Sequence, residues 1–97
     1  MIRHLVLFKL NEGIAKDDPR VLAAHEAFVG LDRKVPELLE WQHGFNFSPR
    51  DIAHDYALSS LFADEAGLEA YATHPDHVAA GALWRAISTL SVVDFVV

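Results

Sequence analysis

Ile2-Arg3-His4-Leu5-Val6-Leu7-Phe8-Lys9-Leu10 opens the chain and decides how the rest is read. Alternation places Ile2, His4, Val6, Phe8 and Leu10 on one side of a strand, and Leu5 and Leu7 on the other. Both sides are mainly apolar, so both call for burial. Lys9 interrupts the apolar run and no A-x-A-like cleavage site follows, which makes this segment a strand rather than a signal peptide.

Working outward, Asn11-Glu12-Gly13 is a turn, and residues 17 to 34 carry a helical pattern. Asp17 or Asp18 is its N-cap candidate, with Pro19 in the first turn. Val21, Leu22, His25, Phe28, Val29 and Val35 form its apolar stripe, and Pro36 stops it. Alternation returns over residues 40 to 47, with Trp41, His43, Phe45 and Phe47 on one face. Ser48-Pro49-Arg50-Asp51 turns the chain into a third strand, residues 55 to 63, and the two strands make a hairpin. Asp64 is a plausible N-cap for a helix through Leu68 and Tyr71. Pro75 disfavours helical geometry at His74, so that helix should end or bend there. Another helix starts at Pro75 and runs to about Ile87, and residues 90 to 97 form a last strand. On that strand Val92, Asp94 and Val96 share one side and Val93, Phe95 and Val97 the other.

The order is β-α-β-β-α-β, a split βαβ arrangement with a four-stranded antiparallel sheet in one α+β domain, residues 1–97. Helices can cover one sheet face only. The first and last strands are apolar on both faces, so the other face is a large patch unless a second sheet packs on it. A two-fold homodimer is the simplest solution. Composition agrees: 97 residues, 52% hydrophobic and without cysteine, suggest a burial surface supplied by another subunit. A compact monomer with a rich core is the alternative.

A formal net charge of −6, with only Arg33-Lys34 adjacent among scattered basic residues, argues against nucleic acid as a partner. No apolar run approaches the ~18 residues of a membrane span, so no membrane partner and a cytoplasmic location are expected.

The chemistry concentrates in Tyr71-Ala72-Thr73-His74-Pro75-Asp76-His77. His74 and His77, with Asp76 between them and His4 approaching from the first strand, invite a metal reading. Zinc needs three or four converging ligands, usually in a clearer pattern such as H-E-x-x-H, so no metal is expected. Acid–base chemistry fits better. With Pro75 opening a helix, His77 lies in the first turn, where the helix dipole disfavours a protonated imidazole. A neutral His77 is a general-base candidate at pH 7, and Tyr71 offers a phenolic hydrogen bond beside it. Farther along that helix, Gly81 leaves space and Trp84 can wall it. His4, beside Val6 and Phe8 on an apolar strand face, must find a partner or face a cavity. His25 has the same ambiguity beside Phe28 on the first helix. The same spacing also suits a plainer role, with His77 bonding backbone groups at the helix junction and Tyr71 packed as core. His43 and His54 read as structural or solvent-exposed.

These residues resemble the stress-responsive A/B barrel (Dabb) family of the dimeric α+β barrel superfamily. The resemblance runs through Ile2-Arg3-His4-Leu5-Val6-Leu7-Phe8-Lys9, Gly44-Phe45-Asn46-Phe47-Ser48, Asp55-Tyr56-Ala57-Leu58, Phe62, Asp64, the Tyr71–His77 segment and Val93-Asp94-Phe95. It implies a ferredoxin-like subunit whose sheet faces a second copy. It also implies a small-molecule pocket. In a plant family member, a cofactor-free polyketide cyclase, the positions matching Tyr71, His77 and His4 act on or line the substrate. Here Ala24 and His25 occupy a first-helix region that is more aromatic in that cyclase. The implied pocket comprises His77 and Tyr71 as catalytic candidates and His4, His25, Val6, Phe8, Phe28, His74, Gly81 and Trp84 as substrate-binding ones, with no cofactor. Cyclase, isomerase and lyase chemistry on a carbonyl or polyketide-like substrate all fit. The alternatives are a non-catalytic small-molecule-binding or stress-protective homodimer and, behind them, a monooxygenase-like member of the superfamily.

Overall fold

A computed structural model describes residues 1–97. Its elements are β1 (Ile2–Leu10), α1 (Pro19–Phe28), β2 (Glu40–Phe45), β3 (Tyr56–Phe62), α2 (Glu65–Thr73), α3 (Pro75–Arg85) and β4 (Ser88–Val96). The strands pair antiparallel in the order β2-β3-β1-β4. This is the ferredoxin-like arrangement expected from the sequence. No helix is long and apolar enough to cross a membrane.

Local chemistry sets the helix ends. Asp18, rather than Asp17, caps α1: its carboxylate accepts from the Arg20 amide at 2.9 Å. Asp64 caps α2 by accepting from the Gly67 amide at 2.8 Å. His74 is extended (φ −64°, ψ 133°) and separates α2 from α3, as the following proline requires. Its Nδ1 accepts from the Asp76 amide at 3.1 Å, so this imidazole is the N-cap of α3.

The first helix is shorter than its sequence pattern. It stops at Phe28 because Val29 is extended and Gly30 takes a left-handed φ of 78°, after which Leu31–Arg33 form a 3-10 turn. The buried stripe is therefore Val21, Ala24 and Phe28, continued by Leu31 and Val35, while Leu22 and Val29 face solvent. The second strand likewise ends at Phe45, leaving Phe47 almost fully exposed at 98%.

Strand register sorts the side chains. His4 lies opposite Ser60 on β3 and Asp94 on β4, and Val6 opposite Leu58 and Val92. These face the helices. Their layer closes around Phe8, Phe28, Tyr56 and Trp84, with the Trp84 ring stacked on Phe28 at 5.6 Å between centroids. Leu5 and Leu7 face the other way, in rows with Gln42, Gly44, Ala57, Ser59, Ser91 and Val93. That face carries no helix. Leu7, Val93 and Phe95 remain 42%, 53% and 43% exposed, and the sheet's curvature leaves a hollow of about 440 Å³ there. Two-sided apolar strands thus give one buried and one open face.

Candidate functional site

The β1–β4 register and the α2–α3 break bring three of the expected residues together. The rings of Tyr71 and His77 lie 4.0 Å apart, and the His4 ring is 5.8 Å from Tyr71. Asp94 joins them from the edge strand, its carboxylate accepting from His4 Nδ1 at 2.5 Å. A carboxylate accepts only, so the proton lies on Nδ1 of His4 and the ring is held by this bond.

His77 Nδ1 donates to the Ala72 carbonyl at 3.1 Å. In the neutral ring that bond leaves the lone pair on Nε2. Nε2 has no protein partner and is not sealed from solvent. Burial holds the His77 pKa below the ordinary histidine value; the Ala72 bond opposes the shift, and the neighbouring His4, Arg85 and His74 add to it. Desolvation, rather than the helix terminus alone, keeps the ring neutral.

Tyr71 is the complement. It is 1% exposed, its hydroxyl has no hydrogen-bond partner, and burial pushes its pKa up. It therefore stays protonated, an unused donor on a ring packed against the His77 imidazole.

The remaining expected residues divide. Val6, Phe8, Phe28 and Trp84 form the apolar body of the helix–sheet layer, and His74 is committed to capping α3. Gly81 is buried, but the space beside it belongs to Arg85, whose Nη1 stands 3.2 Å from where a Cβ would be. Trp84 packs on Phe8, Tyr56 and Phe28, and its indole N–H is buried without a partner.

His25 belongs to a different group. Its Nδ1 lies 2.8 Å from the Tyr56 hydroxyl, and His43 Nδ1 lies 2.6 Å from the same oxygen. Trp41 stands between the two groups, 6.1 Å from the Tyr71 ring and 5.7 Å from that of His43. His43, read from the sequence as structural or exposed, is half-buried, and desolvation with the nearby His25 lowers its pKa. Tyr56 went unnoticed because a strand tyrosine reads as core. The alternation that puts His43 and Tyr56 on the helix-facing side, beside the stripe holding His25, was the available signal. No three histidine or acidic side chains converge on a point that could hold a metal ion.

An uncharacterised protein of Streptomyces coelicolor is 47% identical over 95 residues, covering 98% of each chain. A dimeric ferredoxin-like protein of unknown function from Thermobifida fusca superimposes with a TM-score of 0.87 at 30% identity, over 99% of this chain and 90% of that one. A hydroxynitrile lyase from Passiflora edulis shares the fold, with a TM-score of 0.80 at 18% identity over 99% and 92% of the two chains. The family model for the stress responsive A/B barrel domain matches residues 2–97. The chain belongs to the stress-responsive A/B barrel domain family.

Proposed function

We propose that this protein performs cofactor-independent acid–base chemistry on a small carbonyl compound, with His77 as base and Tyr71 as hydrogen-bond donor. One observation carries the reading: an imidazole whose Nδ1 is committed to Ala72 O, and whose Nε2 is free, lies against a buried phenol with an unspent O–H. His77 Nε2 would remove a proton next to the carbonyl. The Tyr71 hydroxyl would donate to the oxygen as negative charge develops on it. His4, fixed by Asp94, would orient the substrate, and Val6, Phe8, Phe28 and Trp84 would supply an apolar, water-poor wall. Aldol cyclisation, isomerisation and lyase reactions share this step. The Passiflora hydroxynitrile lyase is an enzyme on this fold, although at its low identity it contributes no residue assignment.

The working unit in this reading is a homodimer. Its support is the helix-free sheet face with exposed Leu7, Val93 and Phe95, and the dimeric state of the Thermobifida neighbour. Packing two such faces back to back buries both apolar patches around a two-fold axis.

A second reading, ligand binding without turnover, draws on the sealing of the Tyr71 hydroxyl from solvent. In that case His77 serves the helix junction, and a ligand that opens the layer raises thermal stability without being consumed. The test screens enolisable carbonyl compounds for turnover, then measures His77→Ala and Tyr71→Phe on any substrate found. The reading expects losses of about 10²-fold or more, the usual contribution of a positioned base. Undiminished rates in both variants overturn it.

A further inference from the structure

The other histidine–tyrosine group has a property that follows from counting protons. The Tyr56 hydroxyl has one hydrogen and two imidazole Nδ1 partners, at 2.8 Å from His25 and 2.6 Å from His43. It can donate to one ring only. The other ring must therefore donate its own Nδ1–H to the phenol oxygen. Were both rings to donate, the phenol hydrogen would be left buried with no acceptor, because these two are its only hydrogen-bond partners. The neutral rings thus hold opposite tautomers. One presents Nε2–H, a donor, and the other a bare Nε2, an acceptor. Both rings are half-buried, neither Nε2 has a protein partner, and neither is sealed from solvent. The ring centroids are 5.5 Å apart, and Phe45, 5.1 Å from the His25 ring, closes one side.

We propose that His25, Tyr56 and His43 form a second, bifunctional acid–base site that moves a proton between carbon and oxygen of an enolisable carbonyl compound. The bare Nε2 takes the proton from the carbon next to the carbonyl. That ring passes its Nδ1 proton to the Tyr56 oxygen, and the Tyr56 hydroxyl proton passes to Nδ1 of the other ring. The second ring releases its Nε2 proton to the carbonyl oxygen. The C–H electron pair becomes the enol C=C bond and the carbonyl π pair becomes the O–H bond. Nothing is oxidised and no co-reactant is needed. The two rings end with their tautomers exchanged, ready for the reverse reaction. Tyr56 is buried in the core with its phenol pKa raised, so it acts as a proton conduit and not as a free phenolate base. This site stands apart from the His77 reading and does not depend on it.

The test has a spectroscopic arm and a kinetic arm. Nitrogen NMR of the imidazoles at neutral pH is expected to show Nδ1–H on one of His25 and His43 and Nε2–H on the other. In Tyr56→Phe that opposition is expected to disappear. Two identical tautomers in the wild-type protein overturn the proposal, as does an unchanged opposition in Tyr56→Phe. For the kinetics, the enol of phenylpyruvate is the probe, and its ketonisation is followed by loss of enol absorbance. The wild-type protein is expected to exceed buffer at least tenfold. Tyr56→Phe, which keeps the ring, and His43→Gln are each expected to lose at least tenfold while retaining a cooperative melt. A wild-type rate equal to buffer, or a full rate in folded Tyr56→Phe or folded His43→Gln, overturns it.

Discussion

Replacing Tyr71 with phenylalanine should stabilise the protein while disabling it. The ring makes the packing contacts: centroids of His77, Phe62, His4 and Trp41 lie 4.0, 5.1, 5.8 and 6.1 Å from it, and phenylalanine keeps all four. The hydroxyl is buried and bonds to nothing. A buried polar group left unsatisfied costs about 1–3 kcal/mol, so deleting it should return about 1 kcal/mol after allowing for the small void left behind. For a domain of this size that corresponds to a rise in Tm of about 4–8 °C. The assay is paired urea and thermal unfolding of the two proteins at one fixed protomer concentration, since assembly contributes to apparent stability. A loss of about 1 kcal/mol or more would refute the reasoning. It would show that the hydroxyl has a structural partner and is not held in reserve for a ligand. A stability cost borne at one position, with function lost when it is relieved, is what a binding group in a packed layer should show.

Leu7→Asp places a charge at the middle of the open sheet face, where Leu7 is 42% exposed in the single chain. Sedimentation or light scattering should show a dimer for the parent protein and monomers for the variant; a variant that remains dimeric would place the interface elsewhere. Stability should also fall as pH falls. His77 and His43 both have folded-state pKa values below the ordinary 6.5, so the unfolded chain binds protons more readily than the folded one. Their contribution is therefore complete above about pH 6.5 and is lost on acidification toward the depressed values, at no more than about 1.4 kcal/mol per pH unit per group. Denaturation at pH 7.5 and 5.5 should show this drop, and His77→Gln should reduce it. Gly30→Ala should destabilise by about 1–2 kcal/mol, because φ is 78°, a left-handed conformation that a Cβ disfavours, whereas the Arg33 guanidinium beside it can swing aside. A melt within a degree of the parent would argue against that turn.

How far the sequence led depended on whether the information was local. The two-sided apolar pattern of Ile2–Leu10 and the proline at position 75 act through neighbouring residues, and the sheet's open face and the α2–α3 break follow from them. The end of α1 was harder. Val29 continues a helical apolar spacing, yet it is extended, and the left-handed Gly30 after it turns the chain away from the helix. The pairing of Tyr71 with His77 is near in sequence and was legible. The His4–Asp94 bond joins residues 90 apart, so it required the β1–β4 register to become visible. The Tyr56 relay draws on α1, β2 and β3 at once, and each of its residues alone has an ordinary structural explanation.

Whether His77 can serve as the base turns on its protonation state at neutral pH. Nitrogen NMR of the imidazole, titrated between pH 5 and 8 and assigned by loss of the signal in His77→Gln, reads both the charge and the position of the proton. A neutral ring at pH 7 is predicted, with its proton on Nδ1, its lone pair on Nε2 and a pKa below 6.5. A ring that is cationic at pH 7, or neutral with its proton on Nε2, would contradict the assignment of His77 as the base.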